Sequence, residues 1–494
     1  MLFNSIEFLL FFPVVTIIYF LLPHKWRWLH LLAASCIFYM AFIPVYIFIL
    51  FFTIIIDYLA GILIENAEGR KRKLFLICSI VANVGVLMFF KYCNFFITNV
   101  NAVLHSLHIQ ANPVPLLKII LPIGLSFHTF QAMSYTIEVY RGRQKAERHF
   151  GIYALYVMFY PQLVAGPIER PQNLIHQFHE EKHLDYGHVT GGLKLILWGM
   201  VKKIAIADRL ALLTDPVFNN PHNYPPITLC IAVLFFTFQI YCDFSGYSDI
   251  AIGAARVMGF KLMKNFNRPY ASRSLAEFWT RWHISLSTWF KDYLYISLGG
   301  NRVAVPRWFF NLFFVFLVSG FWHGANWTFV VWGALHGFYL IAGIITGKIK
   351  EKYTGVTTTD NNGWFKNAVN ILITFSLVLV AWVFFRANTL ADSFYILRRL
   401  PLAFNDLLQI VKTRKLAFMN IWGIRGYGTI DSLTLAFSLI TGLLILEFLQ
   451  YKYDLIGFLS RKHIVIRWAA YYSLLMVIYS FGVFEDRQFI YFQF

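Results

Sequence analysis

Charge is what this chain has least of: 14% of its 494 residues are Asp, Glu, Lys or Arg, where soluble domains run near one quarter. That excludes an ordinary water-soluble globule. Cysteine is sparse as well. Cys36, Cys78, Cys93, Cys230 and Cys242 all lie in apolar segments, and none belongs to a CxxC pair. Neither a disulfide framework nor a metal site is expected, and the thiols read as small buried hydrophobes. HExxH, Walker and dinucleotide-binding glycine patterns are missing. Long polar linkers and repeats of fixed period are missing too. That leaves one integral-membrane domain over 1–494 and weakens an inverted-repeat transporter.

What is present is apolar sequence in bilayer-sized lengths. Hydrophobic residues make up 58% of the chain and mean hydropathy is +0.58. Candidate spans fall at roughly 5–22, 28–43, 45–64, 74–97, 117–139, 190–214, 227–258, 306–324, 327–347, 366–386, 432–450 and 463–484. The predicted fold is an all-α polytopic bundle of about ten to twelve crossings; the segments at 45–64 and 190–214 are ambiguous. The short alternating segments of a porin are absent. Met1–Leu22 has no basic n-region and no small-residue cleavage site, so it is expected to stay as the first membrane helix.

Net charge is +18, from 43 Lys and Arg against 25 Asp and Glu. In a soluble protein this would suggest nucleic acid. Here the positives sit in short loops between apolar runs, as the positive-inside rule expects, and no nucleic-acid partner is expected. With Met1 outside, Lys25, Arg27, Arg70 to Lys73 and Arg141 to Arg148 fall inside, while the intervening loop 98–115 has no Lys or Arg. The segment 387–430 breaks the pattern by placing Arg398, Arg399, Lys412, Arg414, Lys415 and Arg425 outside.

Two segments do not read as simple spans. Gly151 to Ala165 is apolar but about 22 Å long as a helix, short of a hydrocarbon core of about 30 Å. Pro161 and Gly166-Pro167 then interrupt it, which suggests a re-entrant or interfacial piece. From Ser272 to Ser297, Leu275, Phe278, Trp279, Trp282, Leu286, Trp289, Phe290 and Tyr293 recur at three and four residues. This predicts an amphipathic helix along the membrane surface, with Glu277 and Arg281 paired and His283 at the edge of the apolar face.

Unusual polar groups concentrate between about residues 240 and 340. Asp243 and Asp249 interrupt a hydrophobic helix, His283 follows, and His323 stands in a Gly-Phe-Trp-His-Gly-Ala-Asn run with His336 in the next span. Such groups are costly in lipid and suggest a polar tunnel. A neutral imidazole at His323 could accept the proton of an attacking hydroxyl. Trp322, Asn326, Asp243 and Ser245 are candidates for tunnel or oxyanion contacts, and Gly320 and Gly324 would allow close approach. A structural role stays open for each: His323 bonded across helices, His283 as an interfacial residue, His336 as packing, Asp243 as a helix-orienting group.

Phe244-Ser-Gly-Tyr-Ser-Asp-Ile-Ala-Ile-Gly253, Asn265-Phe-Asn-Arg-Pro-Tyr270, Glu277-Phe-Trp-Thr-Arg-Trp-His-Ile-Ser-Leu-Ser-Thr-Trp289, Asp292-Tyr-Leu-Tyr295, Gly299-Gly-Asn-Arg302, Gly320-Phe-Trp-His-Gly-Ala-Asn-Trp327 and the tail Phe489–Phe494 occur in that order. As a set they resemble the membrane-bound O-acyltransferases, particularly the bacterial branch that acetylates alginate. The resemblance covers nearly the whole chain. It implies a ring of helices around a central tunnel, with His323 as the catalytic histidine and His283 as the second. It further implies transfer of acetyl from a cytoplasmic thioester, coenzyme A or an acyl carrier protein, with no bound cofactor. The acceptor would be an extracytoplasmic polysaccharide such as an alginate-like polymer, cellulose or peptidoglycan. A separate periplasmic acetyltransferase or acceptor protein and membrane lipid are the expected partners, and the bacterial inner membrane the expected site. Arg141, Arg143, Lys145, Arg268, Arg273 and Arg302 would favour an anionic donor, although positive-inside bias explains them equally. D-alanyl or other acyl transfer to teichoic acid, lipid or protein is the nearer alternative; a glycan or lipid flippase is the alternative of another class.

Overall fold

Backbone that crosses lipid has to satisfy its own hydrogen bonds, and every regular element among the described residues is helical. The computed structural model describes residues 1–109, 112–354, 363–413, 430–453, 455–484, 487 and 489–490. Arg414, Lys415, Arg425 and the tail beyond Ile490 lie outside them.

Eight helices among the described residues are long and apolar enough to cross a membrane: Pro44–Asn66, Gly69–Ser106, Pro226–Val257, Val305–His323, Trp327–Gly347, Trp364–Arg386, Asp431–Tyr453 and Ile464–Phe481. Ile6–Leu21 is apolar but shorter, and His24–Met40, Leu125–Tyr140 and Tyr186–Met200 are helical over other expected spans; by length and composition eight helices qualify among the described residues, against the ten to twelve expected. The chain is a multi-pass membrane protein.

Four sequence expectations change in detail. The span at 117–139 is extended through its first residues, and its helix begins only at Leu125, after Gly124 at φ 78°. Pro113, Pro115 and Pro122 explain the delay, since proline removes donors and restricts the preceding residue. The segment 151–165 is not interfacial; Phe150–Met158 and Tyr160–Leu163 are packed inside the protein. The predicted helix over 272–297 is broken into Leu275–Arg281, Ile284–Trp289 and a π-helical turn at Phe290–Tyr295. Trp282 and His283 are 1% and 0% exposed, so this piece is held inside protein rather than at a lipid surface.

Pro226–Val257 is the most buried of the long helices. It packs along Tyr186–Met200 through facing glycines: a Cβ on Gly199 would meet the Gly246 oxygen at 2.6 Å. Backbones this close leave no room for water, which is why the charges of this seam have to answer one another.

Candidate active site

His323 is the last residue of Val305–His323. The chain turns back at once into the helix that starts at Trp327, and the two pack tightly because Gly320 faces Gly333. A Cβ on Gly320 would meet the Phe329 oxygen at 2.3 Å, and Gly324 likewise faces the Phe329 ring. These glycines therefore serve the approach of one helix to the next. The imidazole stands edge-on to Trp332 at 5.0 Å and to Phe385 at 5.4 Å, and the residue is 4% exposed.

A helix end leaves its last carbonyls without intrahelical donors. Here one distant turn answers three of them. Gly69–Ser106 contains a π-helical turn at Met88–Tyr92, a distortion common at functional sites. It presents two successive side chains to the end of the His323 helix. Tyr92 donates its hydroxyl to the Phe321 oxygen at 2.8 Å. Lys91 donates to the oxygens of Trp322 and His323, at 2.8 and 2.9 Å.

A cavity of about 50 Å³ is lined by Lys91, Leu121 to Phe127, Val164, Trp322 and His323. It is water-sized, far below the 300–1,000 Å³ or so of a drug-sized ligand pocket. The Trp322 ring stacks on Phe130 at 4.9 Å, and its buried indole N–H has no hydrogen-bond partner among the described residues.

His283 is reached by another route. Its backbone is left-handed, φ 42°, an unusual state for a residue with a Cβ. The segment around Asn265 holds it there. Ile284 N–H donates to the Asn265 main-chain oxygen at 2.9 Å. The Asn265 side-chain oxygen accepts from Ser285 N–H at 3.2 Å and from Ser285 Oγ at 3.0 Å, and it lies 3.1 Å from His283 Nδ1. Since a backbone N–H requires an acceptor, this amide oxygen is assigned, and Nδ1 of His283 carries the proton. Burial lowers His283 to about 3, so the ring is neutral. Its Nε2 keeps a lone pair and has no partner among the described residues. Phe127, on the cavity wall, contacts both the His283 ring at 6.0 Å and the Trp322 ring at 5.7 Å. Trp322 in turn contacts the His323 ring at 4.9 Å, so two aromatic rings, Phe127 and Trp322, link the two histidines.

The other expected residues are placed elsewhere. Asn326 uses its oxygen to cap Thr328 N–H and its amide to reach the Asn388 oxygen, both at 3.1 Å. Asp243 is committed on both oxygens, to Lys203 at 2.8 Å and to Ile490 N–H at 2.8 Å. Ser245 accepts from Lys202 at 3.0 Å, and Lys202 pairs with Asp249 at 2.5 Å. Neither Asp243 nor Ser245 lines the cavity of His323. His336 accepts from the Trp279 indole at 3.3 Å. Of the basic residues, Arg141 reaches Asp292 and Ser297 and, with Arg170, faces the Tyr293 ring. Arg268 stacks on Tyr451 and Arg273 contacts Asn367.

Sequence reasoning missed Lys91, Asn265 and Phe127. Lys91 carried a usable signal, a solitary charge deep in an apolar span. Asn265 stood in one of the motifs that carry the family resemblance but had no role assigned to it, and Phe127 carried no signal.

Residues 80–387 match the model of the membrane-bound O-acyltransferase family. A probable alginate O-acetylase of Pseudomonas aeruginosa is 42% identical over 395 residues, 79% of this chain and 73% of that protein. A peptidoglycan O-acetyltransferase of Helicobacter pylori is 36% identical over 435 residues, 81% of this chain and 79% of its own. A teichoic acid D-alanyltransferase of Streptococcus thermophilus is 30% identical over 293 residues, covering 53% of this chain and 68% of its own.

Proposed function

The chain belongs to the membrane-bound O-acyltransferase family, and from that premise we propose that it moves acetyl from a cytoplasmic thioester to a hydroxyl of a cell-envelope polysaccharide. Family membership sets aside the flippase reading. The D-alanyl reading is weaker than the acetyl one, because the relatives named for D-alanyl transfer are the more distant and match only about half of the chain. Alginate-like polymer and peptidoglycan are the acceptor classes that the nearer relatives suggest.

The observation that carries this reading is His323 standing at a helix end on the wall of a cavity, beside an unused indole N–H and a lysine. In the reaction, an acceptor hydroxyl oxygen attacks the thioester carbonyl carbon while His323 takes its proton. The tetrahedral intermediate collapses, the carbon–sulfur bond breaks, and the departing thiolate takes that proton from the imidazole. Trp322, on the cavity wall with an indole N–H that has no partner among the described residues, would donate to the carbonyl oxygen as it becomes negative. His283 offers a second neutral acceptor nitrogen behind Phe127, suited to orienting the acceptor or relaying its proton.

With the basic loops on the cytoplasmic side, Val305 starts inside and His323 lies about 27 Å along its helix, towards the outer face. The acceptor then has the short approach, past Leu121 to Gly124, and the thin thioester arm has the long one. Coenzyme A or an acyl carrier protein would supply that arm from the inner membrane's cytoplasmic face. Where the attacking hydroxyl belongs instead to a periplasmic acetyltransferase or acceptor protein, that partner would carry the acetyl group on to the polymer. A passage wider than the cavity has to open when the donor enters.

Replacing His323 with Ala tests the reading. Acetyl esters on the envelope polymer should disappear while export of the polymer continues. Loss of the polymer itself, or unchanged acetylation, would refute it.

A further inference from the structure

One charged group of the cavity has no part in that chemistry. Lys91 lies deep in Gly69–Ser106, and no carboxylate pairs with it among the described residues. Its acceptors are the two oxygens at the end of the His323 helix. The simplest account is a cap: a cation at a helix C-terminus stabilises by about 0.3–1 kcal/mol, up to about 2 when partly buried. Placing an ammonium away from water costs several kcal/mol, so a cap alone is a poor reason for a charge here. A neutral donor would serve, as the neighbouring Tyr92 hydroxyl does for Phe321.

Three further facts point to the reaction. Lys91 lines the same cavity as His323 and Trp322. Its nitrogen stands 5.9 Å from the Trp322 ring, on the residue whose indole N–H is unpartnered. An ammonium has three N–H groups, and two oxygens occupy two of them, which leaves one donor for a substrate atom.

We propose that Lys91 is a catalytic residue, supplying with the Trp322 indole the positive pole for the oxyanion of acetyl transfer. The proposal rests on the acyl-transfer reading. As the acceptor oxygen bonds to the acyl carbon and its proton passes to His323, the carbonyl π pair moves onto oxygen, facing the Lys91 ammonium. When the carbon–sulfur bond breaks, that pair re-forms the carbonyl and the charge leaves with the sulfur, which His323 then protonates. The ammonium neither gains nor loses a proton.

The test uses the full chain in lipid nanodiscs, acetyl-coenzyme A as donor and an alginate oligosaccharide as acceptor, with thiol release and ester formation both measured. Wild-type protein that transfers nothing to any envelope glycan defeats the acyl-transfer reading itself; the Lys91 comparison is made where wild type is active. Lys91→Gln keeps neutral donors for the two helix oxygens and removes the charge. It should lower kcat about 10²–10³-fold, the effect of losing one oxyanion donor, with KM within a few-fold. A trifluoromethyl ketone analogue of acetyl-coenzyme A, which hydrates to a tetrahedral form, should bind the variant more weakly by a similar factor. Acetyl-coenzyme A itself should bind both alike. Lys91→Arg, which restores the charge, should recover most of the lost kcat and covers the case that the Gln variant fails to fold. A folded Gln variant with wild-type kcat, or a folded Arg variant as slow as His323→Ala, would overturn the assignment.

Discussion

The side-chain oxygen of Asn265 lies 3.1 Å from Nδ1 of His283 and also accepts from Ser285 N–H, so one oxygen both fixes the ring's tautomer and helps hold the break in the helix that carries it. Asn265→Ala should leave Ser285 N–H and the imidazole without their acceptor. Loss of a cap costs about 0.5–2 kcal/mol, and a buried unsatisfied donor about 1–3 kcal/mol. The variant should show a lower thermal midpoint in nanodiscs, and the surviving folded protein should be slow in acetyl transfer. Wild-type turnover in folded Asn265→Ala would show that the tautomer of His283 does not matter.

Gly320 sets how closely the two helices beside His323 approach. A methyl group there would meet backbone, the Phe329 oxygen, at 2.3 Å, and backbone cannot rotate aside. Gly320→Ala should destabilise by about 1–3 kcal/mol, as overpacking does, and should displace His323 from its cap. Turnover should fall more than donor binding, measured by kinetics against acetyl-coenzyme A titration.

Asp243 lies in a cluster of buried charges and does not line the cavity of His323. It shares Lys203 with Asp208, each at 2.8 Å. Lys203→Met would strand two buried carboxylates, and breaking a buried pair this way costs about 3–5 kcal/mol. Little folded protein should be recovered. Asp243→Asn, which keeps an acceptor for Ile490 N–H, should fold in reduced yield and retain kcat per folded molecule. A folded Asp243→Asn with no turnover would return Asp243 to the reaction.

Glu169, in the loop after the buried 151–165 segment, gives a pH signature. Burial raises its carboxyl to about 7, opposed by hydrogen bonds from Met263 N–H and Asn173. A carboxyl whose folded pKa exceeds its unfolded value binds its proton more tightly when folded. Its penalty is therefore absent below the unfolded value, grows as pH rises, and is complete above 7. Glu169→Gln, which stays neutral, should be more stable than wild type at pH 8, by up to roughly 3 kcal/mol. The difference should vanish near pH 4. Thermal midpoints of both proteins across that range test this, and an advantage for wild type at pH 8 would contradict it.

Parts of this were legible beforehand. The pairing of Glu277 with Arg281 appears as expected, at 2.5 Å, because it depends on i,i+4 geometry alone. The break in the helix over 272–297 was not legible, since the apolar spacing continues through Trp282 and His283 without a sign of it. That break is held by hydrogen bonds that Asn265, on a different stretch of chain, accepts from Ile284 and Ser285. Asp243 and Asp249 looked like tunnel residues because a carboxylate in an apolar helix is conspicuous. Their lysine partners, Lys202 and Lys203, lie in a π-helical turn at Val201–Ala207 that the hydropathy pattern does not mark.

Composition and hydropathy by themselves determined that this chain lives in a membrane as a bundle of helices, and its ordered motifs pointed to His323 and His283. Those are local properties: burying apolar length and closing backbone hydrogen bonds are decided within each segment. Only the tertiary structure decided which polar groups meet. Lys91 and His323 are 232 residues apart in the chain, and whether a buried charge faces a carboxylate, a helix end or a reacting oxygen depends on packing across the bundle. Electrostatic energy follows distance in space, and spacing along the chain does not report it.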